Sequence, residues 1–140
     1  MRSFTDQLEY PLHFLDFETT NMAVPKFKMQ RPYQQIPFQY SVHIKNSKTS
    51  EAIHYEFLAE SKCQDPRLDF IKSLICDCGK SGSILVYNIS FERSILNQLI
   101  KDFPEYEIQL QLIIDRMVDL MIPFKNKHYY TPNMQGSYSI

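Results

Sequence analysis

Two acidic side chains, Asp16 and Glu18, stand in the segment Asp16-Phe17-Glu18-Thr19-Thr20, directly after the apolar run Leu12-His13-Phe14-Leu15. A short apolar run rich in aromatic residues is typical of a buried strand. Because side chains alternate along a strand, Asp16 and Glu18 are expected on one face, about 6–7 Å apart. Two carboxylates at the end of a buried strand are costly to desolvate unless a cation or a partner neutralises them. The spacing predicts a divalent metal site; the alternative is two acids that cap a loop.

A third acid, Glu92, follows a second predicted strand. The run Ile84–Tyr87 predicts a short strand, and the residues from Asn88 onward predict a helix with Ser90 as its N-cap. Ile95, Leu96 and Leu99 repeat at helical spacing and predict one apolar face of that helix. Glu92 lies in the first turn on the same face, so it gains from the helix dipole but needs a partner if it points inward. Glu92 is a candidate third carboxylate; the alternative is a first-turn acid that leans out to water.

The segment Asp16-Phe17-Glu18-Thr19 resembles the first motif of the DEDD-type 3'-5' exonucleases, which belong to the ribonuclease H-like superfamily. Residues 87–96 resemble their second motif, which is Asn, two residues, Phe, Asp and a Leu further on. Glu92 stands where that family has Asp, one methylene longer. The pattern is more similar still to an uncharacterised bacterial family, the domain of unknown function numbered 2779. The other segments that carry this likeness are Arg31–Gln39, Ile114–Leu120, His128-Tyr129-Tyr130 and Gly136–Ile140.

The resemblance implies a ribonuclease H-like α/β fold: a mixed sheet built from three strands, helix, strand and helix, with flanking helices. It implies a hydrolase that uses two Mg²⁺ or Mn²⁺ ions and acts on single-stranded DNA or RNA. Asp16, Glu18 and Glu92 would be the catalytic, metal-binding residues, with Asp16 bridging both ions, Glu18 on one and Glu92 supporting the other through water. The residues expected to contact the substrate are Thr19, Thr20, Arg31, Tyr33, Gln35 and Asn88.

The family also has a fourth carboxylate, in a third motif that begins with His or Tyr. Asp115 and Asp119 are the only acids after Glu107, and they precede the segment that leads into that motif. We therefore expect residues 1–140 to be one C-terminally incomplete domain of a longer protein with further domains. On this interpretation the fragment itself is inactive. His128 and Tyr130 are not candidates for the general base, because no acid follows them.

The remaining apolar runs and turn residues outline the other elements. The predicted elements are strands at 12–15, 39–44, 54–58 and 84–87, a helix from Pro66 to a stop at Gly79, a helix at 90–101, and a helical stretch from Pro104 toward Asp119. Asp65 is the predicted N-cap of the first of these helices. A long connection with Pro25, Pro32 and Pro37 follows the first strand. Pattern alone predicts an α/β domain.

Composition indicates a single domain in the cytoplasm. The chain has 140 residues, of which 44% are hydrophobic, and this is enough for one core of ordinary size. No run approaches the roughly 18 apolar residues of a membrane span, and the N-terminus lacks a secretory signal. The three cysteines, Cys63, Cys76 and Cys78, do not have a zinc-ligand spacing, so we interpret them as reduced thiols. His13, within the first apolar run, is interpreted as a core histidine.

The charges are unevenly distributed although the net charge is −1. No acid occurs between Thr19 and Ser50 or after Asp119. The cations in those segments are Lys26, Lys28, Arg31, Lys45, Lys48, Lys125 and Lys127, and the aromatic residues singled out there are Tyr33, Phe38, Tyr129 and Tyr130. Basic residues meet phosphates and aromatic faces stack on unpaired bases, which predicts a single-stranded nucleic acid as the partner. The alternative is a solvated loop with ordinary surface lysines.

Two other functions stay open. The segment at Asp16 is similar to the DxDxT signature of haloacid dehalogenase-type phosphatases, whose first Asp is a nucleophile, but Glu18 replaces the second Asp. A non-enzymatic ribonuclease H-like module that binds nucleic acid or regulates another domain is the main alternative. The replacement of Asp by Glu92 favours this module.

Overall fold

The computed structural model describes residues 2–60, 64–129, 131–134 and 137, without the side chains of residues 2, 3 and 133. The strands are β1 Leu12–Thr20, β2 Ile36–Lys45, β3 Ala52–Leu58, β4 Ile84–Val86 and β5 Met117–Asp119. The helices are α1 Arg2–Thr5, α2 Arg67–Cys78, α3 Ile89–Asp102, α4 Glu107–Asp115 and α5 Ile122–Lys125, with 3-10 turns at Pro104–Tyr106 and Pro132–Met134. Cys63, Tyr130, Gly136 and the segment Tyr138-Ser139-Ile140, which the sequence analysis named, lie outside the described residues.

The five strands form one mixed sheet in the order β3-β2-β1-β4-β5. β2 runs antiparallel to β1 and β3, while β4 runs parallel to both β1 and β5. The predicted α/β class and the order of three strands, helix, strand and helix are confirmed. Since β1, β4 and β5 are parallel, their carboxyl ends lie at the same edge of the sheet.

The core lies between one face of the sheet and α2, α3 and α4. Its buried residues include Leu15, Phe17, Tyr40, Val42, Phe70, Leu74, Ile95, Leu99, Leu110 and Ile113. Along β1 the burial alternates: Leu15 and Phe17 are buried, whereas Asp16 and Glu18 are exposed. The predicted separation of the two acids from Phe17 across the strand is confirmed.

Three local predictions are wrong. β1 extends to Thr20 rather than ending near the apolar run at 12–15, so Asp16 and Glu18 lie within the strand rather than at its end. The helical stretch predicted from Pro104 to Asp119 ends at Asp115, and the last residues form β5, a strand that the sequence analysis missed. Ser90 is not an N-cap, because α3 already begins at Ile89 and Asn88 precedes it in the left-handed conformation, with φ of 66°.

Other predictions hold. Gly79 is the C-cap of α2. Pro66 rather than Asp65 is assigned as its N-cap, but an Asp65 carboxylate oxygen still accepts the backbone N–H of Arg67 at 3.1 Å. His13 is buried, with Nδ1 3.4 Å from the Ser83 carbonyl oxygen, and burial lowers its pKa. Across the described ranges, no helix combines the length and the apolar character that a membrane span requires.

Candidate active site

Three acids lie near the carboxyl edge of the parallel strands. Asp16 projects from the exposed face of β1, and Glu92 lies in the first turn of α3, directly after β4. Asp119 is the last residue of β5 and is paired with Val86, the last residue of β4. This arrangement follows from the topology, because parallel neighbours deliver their last residues to one edge of a sheet.

Glu92 is the most unusual of these acids. Only 2% of it is exposed, and its Oε2 has no hydrogen-bond partner among the residues that the structure describes. Burial, and to a smaller extent the negative charges of Asp16 and Asp119, together raise its pKa to about 7. The prediction that Glu92 lies on the inward face of α3 is confirmed. A buried carboxylate with one unpartnered oxygen, in the field of two others, is an arrangement that a cation or a proton would relieve.

Asp119 is the residue that the sequence analysis placed in no role. Its Oδ1 accepts the backbone N–H of Asn88 at 3.3 Å and that of Met121 at 2.8 Å, which ties the start of α3 to the end of β5. The signal in the sequence was a short apolar run that ends in Asp, the same pattern that marks Asp16. This pattern was not recognised, because the helical stretch was predicted to run from Pro104 toward Asp119.

Glu18 lies on the exposed face of β1, opposite Gln39, and the register of the two strands shifts between Glu18 and Thr19. The donor set at this edge is made of carboxylates, which suit Mg²⁺ or Mn²⁺, and the unpartnered Glu92 oxygen fits such an ion. However, no three Asp, Glu, His or Cys side chains within the described ranges form a group that could hold a metal ion as they stand. Asp16, Glu18 and Glu92 are therefore not a closed set of ligands.

A cleft lies between the connection that follows β1 and α3, the helix that carries Glu92. The Thr19 hydroxyl donates to Gln35 Oε1 at 2.6 Å, which joins the end of β1 to this connection. A cavity of about 400 Å³ opens between the connection and α3. Its lining includes Arg31, Tyr33, Gln34, Gln35, Ser94 and Gln98. Three of the predicted substrate-contacting residues, Arg31, Tyr33 and Gln35, thus line one cavity, and Thr19 contacts it through Gln35.

The other two predicted contact residues lie elsewhere. Thr20 lines a separate cavity of about 510 Å³ that also includes Lys26, Phe27 and Phe38. Asn88 stands at the start of α3, where its backbone N–H is held by Asp119. The structure therefore divides the predicted substrate residues among two cavities and the helix start.

The sequence model described as "Domain of unknown function (DUF2779)" matches residues 13–139. The chain belongs to this family. The matched range of DUF2779 contains β1 from its second residue, β2 to β5, α2 to α5, and the acids Asp16, Glu18, Glu92 and Asp119. Comparison with curated proteins and comparison with solved structures both gave no match.

The described part of the C-terminal region of this DUF2779 chain packs beside the same edge. The ring of Phe124 lies 6.4 Å from that of Tyr87, which follows β4, and 5.7 Å from that of Tyr129. Tyr129, one of the aromatic residues expected to contact nucleic acid, is therefore linked through Phe124 to Tyr87.

Cys76 and Cys78 are free thiols, one exposed and one buried, and burial raises the pKa of Cys78 to about 12.

Proposed function

We propose that this chain is the core of a metal-dependent nuclease of the ribonuclease H-like superfamily. It acts as a DEDD-type 3'-5' exonuclease that hydrolyses phosphodiester bonds of single-stranded DNA or RNA. The observation that carries the proposal is Glu92, whose unpartnered oxygen is buried beside Asp16 and Asp119 at the carboxyl edge of three parallel strands. The resemblance of the two acidic segments to exonuclease motifs supports the same reaction.

The energetics favour a ligand at this edge. An unsatisfied buried polar group costs about 1–3 kcal/mol, and more when it is charged. Two further carboxylates in its field raise that cost. A fold stabilised only by its own contacts would gain from an apolar residue at position 92. A carboxylate there is consistent with a bound cation, which would remove the penalty.

Asp16, Glu18 and Glu92 would hold Mg²⁺ or Mn²⁺, with two ions in the proposed reaction. When bound, these ions lower the pKa of an attacking water and stabilise the negative charge on the departing oxygen. The side chains beside them would orient the substrate. The guanidinium of Arg31 would pair with a phosphate, and the exposed ring of Tyr33 would stack on a base. Gln35, fixed by Thr19, would present its amide to the same strand.

The test is an assay with end-labelled single-stranded DNA and RNA in Mn²⁺ or in EDTA. Because the resemblance places a fourth carboxylate and a general base in a third motif, the assay compares residues 1–140 with a chain extended through such a motif. We expect metal-dependent shortening from the 3' end by the extended chain and little or none by residues 1–140. One positioned acid–base group alone contributes roughly 10²–10⁴-fold.

The controls are Asp16→Ala, expected to be inactive, and Asp115→Ala, expected to be as active as the unaltered chain. Asp115 is exposed at the end of α4 and is bonded to Gln111. Strong cleavage by Asp16→Ala would contradict the proposal, because the activity would then come from another site or a contaminant.

A second candidate function is a nucleic-acid-binding or regulatory module without turnover. The absence of a closed group of three metal-binding side chains in the described ranges favours it, as does Glu92 at a position where the exonucleases have Asp. Under this alternative the extended chain would bind single strands with the same residues, Arg31 and Tyr33. It would leave the strands intact in Mg²⁺ and Mn²⁺.

A further inference from the structure

Arg67 is a charged side chain enclosed by the protein. It is the first residue of α2, and only 2% of it is exposed. Its guanidinium pairs with Asp65 at 2.6 Å and with Asp102, the last residue of α3, at 2.7 Å. The face of the guanidinium lies 5.3 Å from the centre of the Phe103 ring. α2 and α3 are thus joined by a buried ion pair.

The same ion pair reaches the segment 26–35, which we call the recognition loop. Arg67 donates to the carbonyl oxygen of Lys28 at 2.8 Å. The Asp102 oxygen that pairs with Arg67 also accepts the side-chain amide of Gln34 at 2.7 Å. Gln34 in turn accepts the backbone N–H of Arg31 at 2.9 Å. The loop is therefore held to the ion pair at two points, Lys28 and Gln34, and Gln34 in turn fixes the backbone at Arg31.

A second branch ends on the Arg31 side chain. The other Asp102 oxygen accepts the side-chain amide of Gln98 at 2.9 Å, and Gln98 Oε1 accepts Nη2 of Arg31 at 2.6 Å. Gln98 lies on α3, one turn before Asp102, and lines the cavity of about 400 Å³. The guanidinium that faces this cavity is consequently aligned by a chain of contacts that begins at a buried arginine.

The backbone of the loop needs such support. Met29 and Tyr33 have φ of 60° and 58°, a conformation that costs a non-glycine residue of order 1–3 kcal/mol. Both side chains are nevertheless exposed, by 71% and 69%. Packing of these two side chains therefore does not offset the strain, and the contacts made by Lys28, Gln34 and Arg31 help to hold the loop in place.

We infer that Arg67 and Asp102 are positioning residues that hold the recognition loop so that Arg31 and Tyr33 bind a single-stranded nucleic acid beside α3. The inference rests on the proposed function and adds the part of the fold that prepares the binding surface. A strand that meets a loop already ordered does not have to order it, so affinity is gained without any direct contact from Arg67 or Asp102. Gln98 bonds both to Asp102 and to Arg31, and so connects the ion pair to the Arg31 guanidinium.

The experiment measures the Kd for a fluorescent single-stranded oligonucleotide by anisotropy, well below the melting temperature of each variant. Gln98→Ala removes the link between Asp102 and Arg31 without emptying the core. We expect it to weaken binding about three- to tenfold, the effect of freeing one or two long side chains. Asn97→Ala, an exposed neighbour on α3, is the matched control and should bind within about twofold of the unaltered chain.

A double-mutant cycle separates positioning from a general loss of structure. If Gln98 acts through Arg31, Gln98→Ala should have no further effect in a chain that already carries Arg31→Ala. Asp102→Asn tests the ion pair itself and should weaken binding at least as much as Gln98→Ala. If Asp102→Asn does not fold, the cycle of Gln98→Ala and Arg31→Ala still shows whether Gln98 acts through Arg31.

The outcomes separate this inference from the proposed function. Equal affinity of the unaltered chain, Gln98→Ala and Asp102→Asn would overturn the inference alone. Additive effects of Gln98→Ala and Arg31→Ala would overturn it too, because Gln98 would then act independently of Arg31. No binding of the oligonucleotide by the unaltered chain would overturn both.

Discussion

The buried position of Glu92 disfavours the negative charge of its carboxylate. In the native protein its pKa is raised to about 7 from the ordinary 4.5, first because it is buried and then because Asp16 and Asp119 are negative. Between those two values the native state binds a proton that the unfolded state does not. Its contribution to the free energy of unfolding is thus fully present below pH 4.5 and is lost as the pH rises through about 7. Above about pH 7, bound cations would restore this lost free energy of unfolding by neutralising the carboxylate.

The first prediction is that Glu92→Gln stabilises the metal-free protein at pH 8 and changes little at pH 5. The amide carries no charge to desolvate, so the expected gain is on the order of 2 kcal/mol, or several degrees in Tm. Melting curves in EDTA at both pH values provide the measurement. Glu107→Gln, an exposed acid in the first turn of α4, is the control and should behave like the unaltered chain. A gain of equal size at both pH values would mean that the charge of Glu92 is not the cause.

The second prediction concerns the other two acids. Mn²⁺ should raise the Tm of the unaltered chain, because a ligand that binds only the native state stabilises it. Asp16→Asn should abolish this rise without unfolding the protein. Asp119→Asn keeps an oxygen for the two backbone N–H groups but removes the charge, and it should reduce the rise. Asp115→Asn is the control, and a rise with Asp119→Asn as large as with Asp115→Asn would show that the Asp119 charge does not act on the cation.

At the scale of elements, what could be predicted depended on periodicity. The alternation in β1 and the apolar face of α3 are long enough to read, so the exposed acids of β1 and the buried Glu92 could be predicted from the sequence. β5 has three residues and follows a helix, so its pattern merges with the helical one. Asp119 was missed for that reason. The left-handed N-cap conformation of Asn88 was also not predicted, since its backbone N–H is bonded to Asp119 of β5, a contact that no local pattern shows.

The recognition loop could not be predicted from local sequence either. Its prolines indicated only a long connection, whereas its conformation depends on side chains that fold back onto its backbone. Gln30 accepts the N–H groups of Lys26 and Phe27, and Gln34 accepts that of Arg31. The anchor, Arg67, lies on α2 and is more than thirty residues away along the chain. Contacts of that range leave no pattern in a single sequence.

The third prediction tests how β1 and β4 are brought together. Gly82, in the turn before β4, has φ of 85°, and a Cβ there would collide with the carbonyl oxygen of Pro11, just before β1. Gly82→Ala should therefore lower the free energy of unfolding by about 3 kcal/mol, measured by urea denaturation. Gly79→Ala is the control: its φ of 55° is also left-handed, but nothing lies within 4 Å of the added Cβ. An equal loss of free energy of unfolding at the two glycines would show that the positive φ, and not the collision with Pro11, causes the destabilisation.

At the scale of the whole molecule, the charge distribution separates one surface from the rest. The net charge of −1 gives no general attraction for a polyanion. However, Lys26, Lys28 and Arg31 are all exposed on the recognition loop, beside the end of β1. Lys48 is equally exposed, but it lies in the turn after β2, at the opposite end of the strands from Thr20. Phosphates should therefore bind at one end of the sheet only.

The fourth prediction follows from this polarity. Binding of a single-stranded oligonucleotide should weaken with salt, and the slope of log K against log [salt] should be about −2, since each phosphate neutralised contributes roughly −0.7. Lys28→Ala should make that slope shallower by about 0.7 and weaken binding to DNA and RNA alike. Lys48→Ala removes the same charge from the far end and should leave both slope and affinity unchanged. If the two variants had equal effects, the strand would be responding to total charge. The recognition loop would then not be its binding surface.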